Sequence, residues 1–191
     1  MRVSHHVAVA NDLTRLVRSL RVVRRFAERP VADEILDDML EVARWTGTSK
    51  NTQPWHLIVV RENETLRALA KLGQFAGHIA GANVAIALVM DSRNNAFDCG
   101  RLAERLMLAA WSHGVGSCIG SIWPDDNERA AKELLGVPKE RWLHQVISFG
   151  FPADADATRV SATPSAARIL PSIGRRPRSE GVSWERFGRT S

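Results

Sequence analysis

The order of hydrophobic and polar residues predicts alternating helices and strands. Apolar residues recur at helical spacing in five segments, and short apolar runs occur in three others. The predicted helices span residues 13–20, 33–45, 64–75, 95–113 and 125–135, and the predicted strands span 56–60, 84–90 and 142–149. The run 84–90 is apolar throughout, which is typical of a strand buried on both faces. This interleaving predicts a sheet flanked by helices.

Capping residues support the helix boundaries. Asp33 is expected to cap the helix that follows it, and Gly114 is expected to end the long helix before it. Gly136 and Pro138 are expected to close the helix over 125–135.

Length and composition indicate one soluble, cytoplasmic domain over residues 1–191. The 191 residues are 45% hydrophobic, which is enough for a single core. The longest apolar run is too short to cross a membrane, and no apolar run of signal-peptide length opens the chain. The two cysteines, Cys99 and Cys118, are too few for a disulfide framework, and no segment has the spacing of a metal site.

Positive charge is concentrated at the two ends of the chain. Of a net charge of +5, residues 1–30 carry seven arginines against two acidic residues, and residues 151–191 carry seven against four. Basic ends are typical of nucleic-acid binding, of phosphate binding or of a solvated surface. The absence of tyrosine, the few aromatic residues in the C-terminal segment and the lack of a binding motif argue against nucleic acid.

The C-terminal region differs in composition from the rest. Residues 152–171 are rich in small and polar residues, which predicts a surface excursion. The basic tail 174–191 contains Trp184 and Phe187. Because apolar side chains need a surface to cover, we expect this tail to pack on a partner subunit.

A polar loop joins the second helix to the first strand. It presents Thr48, Ser49, Asn51 and Gln53 just before Pro54-Trp55. Such residues are ordinary in a surface turn, and proline by itself explains the switch to extended backbone. The same groups could also serve as hydrogen-bonding partners for a flat polar ligand.

Two arginine clusters lie far apart in sequence. Arg21, Arg24 and Arg25 fall within five residues, and their mutual repulsion calls for an anion or for screening by water. Gly174-Arg175-Arg176-Pro177 forms the second cluster. If the fold brings the clusters together, they favour a dianion between them.

The glycine-rich segment Gly114–Ser121 allows two interpretations. Its glycines would let the main chain approach a flat ring closely. Alternatively, residues 116–120 have the Gly-x-nucleophile-x-Gly form of a hydrolase elbow, with Cys118 as nucleophile and His144 as base. An elbow lies between a strand and a helix, however, and this segment follows a helix.

Together these segments resemble the nitroreductase family of flavin mononucleotide (FMN) enzymes. The polar loop resembles the family's Ser-x-x-Asn-x-Gln-Pro-Trp motif, and Arg21–Phe26 resembles Arg-Arg-Ser-x-Arg-x-Phe, with Leu20 and Val22 in place of the first Arg and the Ser. Residues 114–117 resemble Gly-Leu-Gly-Ser/Thr. The resemblance covers roughly residues 13–187. It implies an α+β nitroreductase-like fold with a central mixed sheet flanked by helices, and a homodimer with two FMN sites lined by both chains.

The resemblance also implies an activity and a site. Hydride from NADH or NADPH would reach a small-molecule acceptor, such as a nitroaromatic or a quinone, through FMN. Arginines would neutralise the phosphate, the polar loop would hold the ribityl chain or ring, and residues 119–121 would pass near the ring. The implied cofactor-binding residues are Arg21, Val22, Arg24, Thr48, Ser49, Lys50, Asn51, Gln53, Ile119, Gly120, Ser121, Arg175 and Arg176. No side chain is implied as catalytic, because the flavin carries the chemistry. A flavin-binding storage or sensing protein with little turnover is the alternative.

Overall fold

The computed structural model describes residues 12–158 and 178–189, in two compact units that divide after Thr158. The first unit contains five helices and four strands within the described residues. The helices are residues 12–19 (α1), Asp33–Arg44 (α2), Asn63–Ala70 (α3), Ala96–Ser112 (α4) and Asp125–Leu135 (α5). The strands are Trp55–Val60 (β1), Val84–Met90 (β2), Gly116–Ser121 (β3) and Trp142–Gly150 (β4). The predicted α+β class is therefore confirmed.

The four strands form one sheet in the order β1-β2-β4-β3, and every neighbouring pair is antiparallel. The expectation of a mixed sheet is wrong for these strand pairs, because helices between strands do not fix the relative strand directions. Within residues 12–158 and 178–189, parallel pairing is limited to a bridge between Val22 and Ser117. The strands β1 and β3 occupy the two opposite edges.

Strand β2 separates two hydrophobic cores. Val84, Ile86, Leu88 and Met90 face a core built with α2 and α4, whereas the intervening residues 85, 87 and 89 face a core built with α3, α5 and the 3₁₀ turn Gly77–Gly81. Because a strand alternates its side chains between faces, a sheet covered on both faces requires apolar residues throughout β2. The predicted strand 84–90 is confirmed with these bounds.

A β-bulge in β4 shapes the end of the sheet near β3. Leu88 pairs with Gln145 and Val89 pairs with Leu143, which leaves His144 as the extra residue. Leu143 and Val146 therefore reach the same core although they are three positions apart, a spacing that places side chains on opposite faces of a regular strand. The bulge also directs His144 towards the surface beside the end of β3.

Some local predictions need correction. Asp33 is the first residue of α2 rather than its cap; Ala32 holds the cap position, and Asp33 binds Arg61 at 2.5 Å. The helix predicted over 64–75 ends at Ala70. Gly114 and Gly136 end their helices in the left-handed region, at φ values of 74° and 66°, as predicted. Strand β3 was not predicted, because Gly-Ser-Cys-Ile-Gly-Ser has little intrinsic strand preference.

The second unit is described over residues 178–189. It contains the short helix Arg178–Gly181 (α6), followed by a turn in which the Trp184 N–H donates to the Arg189 carbonyl at 2.8 Å. Phe187 is fully exposed. Packing of this tail on a partner, and a single domain over 1–191, stay predictions; Arg175, Arg176 and residues 159–171 lie outside the described residues. No helix in the described parts of the chain is long and apolar enough to cross a membrane.

Candidate functional site

The first arginine cluster lies along the outer edge of β3. The Val23 N–H donates to the Ser117 carbonyl at 2.9 Å, and Val22 forms the parallel bridge to Ser117. A Cβ at Gly116 would lie 2.6 Å from the Cβ of Val23, so only glycine permits this approach. Backbone pairing thus places the predicted residues Arg21, Val22 and Arg24 beside β3.

The three arginines of this cluster have different partners. Arg21 donates to the carbonyls of Arg18 and Leu20, at 3.1 and 2.9 Å, and so closes the end of α1. Arg25 forms an ion pair with Asp154 at 3.1 Å. Among the described residues Arg24 has no carboxylate partner, and its guanidinium acts on Cys118 and His78 instead. Arg24 therefore brings uncompensated positive charge to the edge of β3.

Beneath Arg24 lies a group of polar side chains. His78 Nδ1 is 2.7 Å from the Ser148 hydroxyl, and that hydroxyl donates to the Cys118 carbonyl at 3.2 Å. Among the described residues, the buried Nε2 atom of His78 has no partner within hydrogen-bond geometry. Burial and, to a smaller extent, the charge of Arg24 lower the pKa of His78 to about 4, while the backbone of Ile119 opposes this shift. The ring is therefore neutral at pH 7.

Beyond Ser117, the outer edge of β3 has no backbone hydrogen bond among the described residues, and Gly73 packs against the Ser121 carbonyl. Ser117 directs its carbonyl away from β4, and strand alternation gives Ile119 and Ser121 the same direction. Among the described residues no backbone group pairs with Ile119 on that side, the Cys118 thiol donates to its carbonyl at 3.6 Å, and the residue is 41% exposed. Ile119 and Ser121 are therefore exposed to a ligand at this edge.

A cavity of about 290 Å³ adjoins this open edge. Gly73 packs against the Ser121 carbonyl beside the cavity, where a Cβ would lie only 2.3 Å from the carbonyl oxygen. Phe75 and Trp123 are 77% and 56% exposed at the cavity. The lining residues are Gln74, Phe75, Ile119, Ser121, Trp123 and His144. In the part of the chain that the structure describes, the walls are apolar and aromatic, with a few amide, hydroxyl and imidazole groups and no Asp, Glu, Lys or Arg.

The polar loop precedes β1, at the other edge of the sheet. The Thr48 hydroxyl accepts the Gln53 N–H at 3.0 Å, and the Gln53 amide donates to Asn51 Oδ1 at 3.2 Å. Lys50, Asn51 and Gln53 all have left-handed backbone, with φ of 53°, 55° and 48°. Left-handed Lys and Gln are uncommon and strained, a condition found more often in binding and catalytic loops than elsewhere. Ser49, Lys50, Asn51 and Gln53 are exposed.

One chain holds the predicted residues in two separate groups. Arg21, Val22, Arg24, Ile119, Gly120 and Ser121 belong to the β3 edge, and Thr48, Ser49, Lys50, Asn51 and Gln53 belong to the β1 edge. Three strand spacings separate β1 from β3, which is about 14 Å. A single copy therefore does not bring the loop against the arginines.

Sequence reasoning missed several residues of the β3 edge. Gln74 and Phe75 were assigned to a helix, and neither His78 nor Ser148 lies in a recognisable motif. A better signal was available at Gly73, since a glycine near the end of a helical pattern is typical of a helix terminus.

The hydrolase-elbow hypothesis is wrong. Cys118 lies in the middle of β3 and is 3% exposed, whereas an elbow nucleophile stands on a tight turn. Burial raises the pKa of the Cys118 thiol, and Arg24 opposes this only in part.

The space beside Gly116 and Gly120 is taken by the chain's own Val23 and Ile79. A flat ring would therefore approach the strand edge rather than these glycines.

Comparisons with known proteins agree on one family. The sequence model described as the nitroreductase family matches residues 17–86 and 75–151. A protein of Archaeoglobus fulgidus named "Putative NADH dehydrogenase/NAD(P)H nitroreductase" is 30% identical over 151 residues, which cover 75% of this chain and 87% of that protein. Nitroreductase NfnB of Mycolicibacterium smegmatis is 26% identical, over 84% of this chain and 91% of that protein.

Solved structures share the fold. An FMN-dependent nitroreductase from Clostridium difficile superposes with a TM-score of 0.74 at 22% identity, covering 90% of this chain and 98% of that one. The NADPH:FMN oxidoreductase from Vibrio harveyi, in complex with NAD⁺, has a TM-score of 0.74 at 18% identity, covering 94% and 79%. The resemblance drawn from the motifs is confirmed.

Proposed function

Because the chain belongs to the nitroreductase family, we propose that it is an oxidoreductase that uses FMN and NADH or NADPH to reduce a small-molecule acceptor. The acceptor is a nitroaromatic, a quinone or a similar compound. Bound FMN would supply the hydride chemistry, and the protein's residues would bind, orient and shield the reacting groups.

The observation that carries this proposal is the uncompensated Arg24 beside an open strand edge. A phosphate dianion is the natural partner of a guanidinium without a carboxylate. Ile119 and Ser121 are exposed at this edge, and the neighbouring cavity suits the apolar face of a flat heterocycle. The residues present therefore fit FMN, with Arg21 and backbone amides near Val22 as further phosphate contacts. Arg175 and Arg176 stay predicted contacts.

The position of the polar loop supports a homodimer. Its exposed side chains Ser49, Asn51 and Gln53 lie at the β1 edge, away from Arg24 at the β3 edge. The outer face of α4 has a groove of about 570 Å³ beside Phe97, which is 76% exposed. Trp45, which precedes the polar loop in the sequence, is 69% exposed. We infer that two copies pair through this region, so that the Thr48–Gln53 loop of each copy completes the β3-edge site of the other.

The cavity beside β3 provides room for an acceptor. Its volume exceeds that of one aromatic ring, and Phe75 and Trp123 provide flat apolar surfaces for stacking. We assign Gln74, Ser121 and His144 to hydrogen bonds with polar substituents of the ring system. We assign no acid or base role to any side chain, and we place the reaction in the cytoplasm.

Cofactor content and turnover test the proposal. The purified protein should be yellow, with about one FMN per chain, and should oxidise NADH or NADPH when a quinone or nitroarene is supplied. A colourless protein that does not take up added FMN would contradict the proposal. Bound FMN without turnover would instead favour a storage or sensing protein.

Subunit mixing tests the shared site. Arg24→Ala damages the β3 edge, and Asn51→Ala damages the polar loop. A mixed dimer of these two variants should contain one doubly damaged site and one intact site, so that FMN binding returns to half of the wild-type capacity. Equal capacity in the mixed dimer and the parent variants would show that each site is built from one chain.

A further inference from the structure

Glu128 is a buried carboxylate in the first turn of α5. Its side chain is 7% exposed, and it accepts a hydrogen bond from the N–H of Leu143, in β4, at 3.3 Å. Lys132 lies 2.8 Å from one carboxylate oxygen, and Arg93 lies 3.4 Å from the other. A buried carboxylate is destabilising unless it is paired and hydrogen-bonded, and the two cations and the backbone donor meet that requirement. Glu128 therefore ties α5 to β4 at one defined point.

The hydrogen bond from Leu143 to Glu128 lies where β4 is irregular. Leu143 immediately precedes His144, the extra residue of the β-bulge. Because a bulge disrupts the local ladder, a side chain that accepts a backbone N–H there stabilises the irregular backbone. The His144 carbonyl accepts the Ile122 N–H at 2.8 Å, and the His144 ring stacks on Trp142 with 5.6 Å between ring centroids. In this arrangement His144 lines the cavity beside β3.

Trp123, another residue that lines this cavity, is held by other contacts. Its N–H donates to the Leu72 carbonyl at 3.2 Å, and its carbonyl accepts a hydrogen bond from the Asn127 side chain at 2.9 Å. Both contacts can persist without the Glu128 carboxylate. Loss of that carboxylate should therefore act on the cavity through His144.

We propose that Glu128 is a positioning residue for the acceptor. It holds the backbone at Leu143 so that the imidazole of His144 lies in the cavity and hydrogen-bonds a polar substituent of the acceptor. The inference rests on the proposed function, which supplies the acceptor. In the described part of the chain Glu128 does not line the cavity, so its effect on acceptor binding is exerted through His144 and not by contact.

Four variants separate the hydrogen bond to Leu143 from the charge and from the fold. Glu128→Ala removes the acceptor of the Leu143 N–H, whereas Glu128→Gln keeps an acceptor oxygen and removes the charge. Glu133→Ala is the matched control, because it removes an exposed carboxylate from the same helix. If thermal unfolding shows that Glu128→Ala does not fold, Glu128→Met combined with Lys132→Met replaces it. Replacement of both members of a buried ion pair by apolar residues is often tolerated.

The kcat, the KM for a quinone or nitroarene and the Kd of FMN are measured for each variant. We expect Glu128→Ala to raise the acceptor KM about three- to tenfold, the range that the loss of one hydrogen bond gives, with kcat little changed. The affinity for FMN should be unchanged, because the phosphate and ring contacts lie at Arg24 and along β3. Glu128→Gln should stay close to wild type, and Glu133→Ala should match it.

A double-mutant cycle with His144→Ala tests the route of the effect. If Glu128 acts through His144, Glu128→Ala should raise the acceptor KM little further once the imidazole has been removed. A second measurement requires neither FMN nor turnover. In the apoprotein, the assigned NMR signals of the His144 ring should shift in Glu128→Ala and stay in place in Glu133→Ala.

Several results would overturn the inference. These are independent, multiplicative increases in KM from the two alanine substitutions, an equal increase in Glu128→Gln and Glu128→Ala, a parallel loss of FMN affinity, or unshifted His144 signals. Wild type without FMN binding or turnover would refute the proposed function and, with it, the acceptor role of Glu128. Normal turnover with a wild-type KM in Glu128→Ala would refute only the role of Glu128.

Discussion

Replacement of Arg24 by alanine is the sharpest test of the site. Arg24 is the member of its cluster that faces β3 without a carboxylate partner among the described residues, whereas Arg25 pairs with Asp154 at 3.1 Å. Arg25→Ala is therefore a matched control, one residue away and with the same change in net charge. Both side chains are exposed, so neither substitution should affect the core.

The expected magnitude follows from the environment of the guanidinium. Loss of one partner of a desolvated charge pair costs about 2–5 kcal/mol. Arg24 is exposed in the single chain, so we take the lower end, about 2–3 kcal/mol. Since about 1.4 kcal/mol is tenfold in Kd, FMN affinity should fall by roughly 30- to 100-fold. Arg25→Ala should change the affinity by less than about threefold, because its charge is already compensated.

The assay is titration of apoprotein with FMN and, in parallel, with riboflavin. Arg24→Ala should weaken FMN binding strongly and riboflavin binding little, because only FMN carries the phosphate. The circular dichroism spectrum should be unchanged. Equal losses in the Arg24 and Arg25 variants would show that general positive charge, and not a placed guanidinium, attracts the ligand. Equal losses for both ligands would move the phosphate site elsewhere.

Three further outcomes are expected. Cys118→Ala should retain most NAD(P)H-dependent activity, because the buried thiol is no nucleophile; abolished activity with FMN still bound would give Cys118 a chemical role. Phe75→Ala should raise the KM for an aromatic acceptor with little change in FMN affinity, whereas Leu134→Ala, an exposed apolar control on α5, should change neither. Without ligand, the lowered pKa of His78 means that unfolded chains bind the proton first. Its contribution to stability is therefore complete above about pH 6.5 and is lost as the pH falls towards 4, so acidification should lower the Tm of wild type more than that of His78→Asn; parallel curves would refute this.

Sequence alone determined the features that depend on neighbouring residues. The apolar run 84–90 predicted a strand buried on both faces, and the helical periodicities predicted α2, α4 and α5 with small errors at their ends. The motifs around Arg21–Phe26 and Thr46–Trp55 indicated the family, because they keep residue types at fixed spacing. These signals lie within one segment of chain, where backbone geometry and side-chain spacing act directly.

Tertiary structure decided what depends on contacts between distant segments. β3 is a strand because β4 pairs with it, although its own residues have little intrinsic preference for strand structure. Arg25 differs from Arg24 because Asp154, 129 residues away, reaches only the former. His78 meets Ser148 across 70 residues, and the antiparallel order of the sheet separates the polar loop from β3. Charge compensation, burial and distance between edges are properties of the packed chain, and no local pattern of residues encodes them.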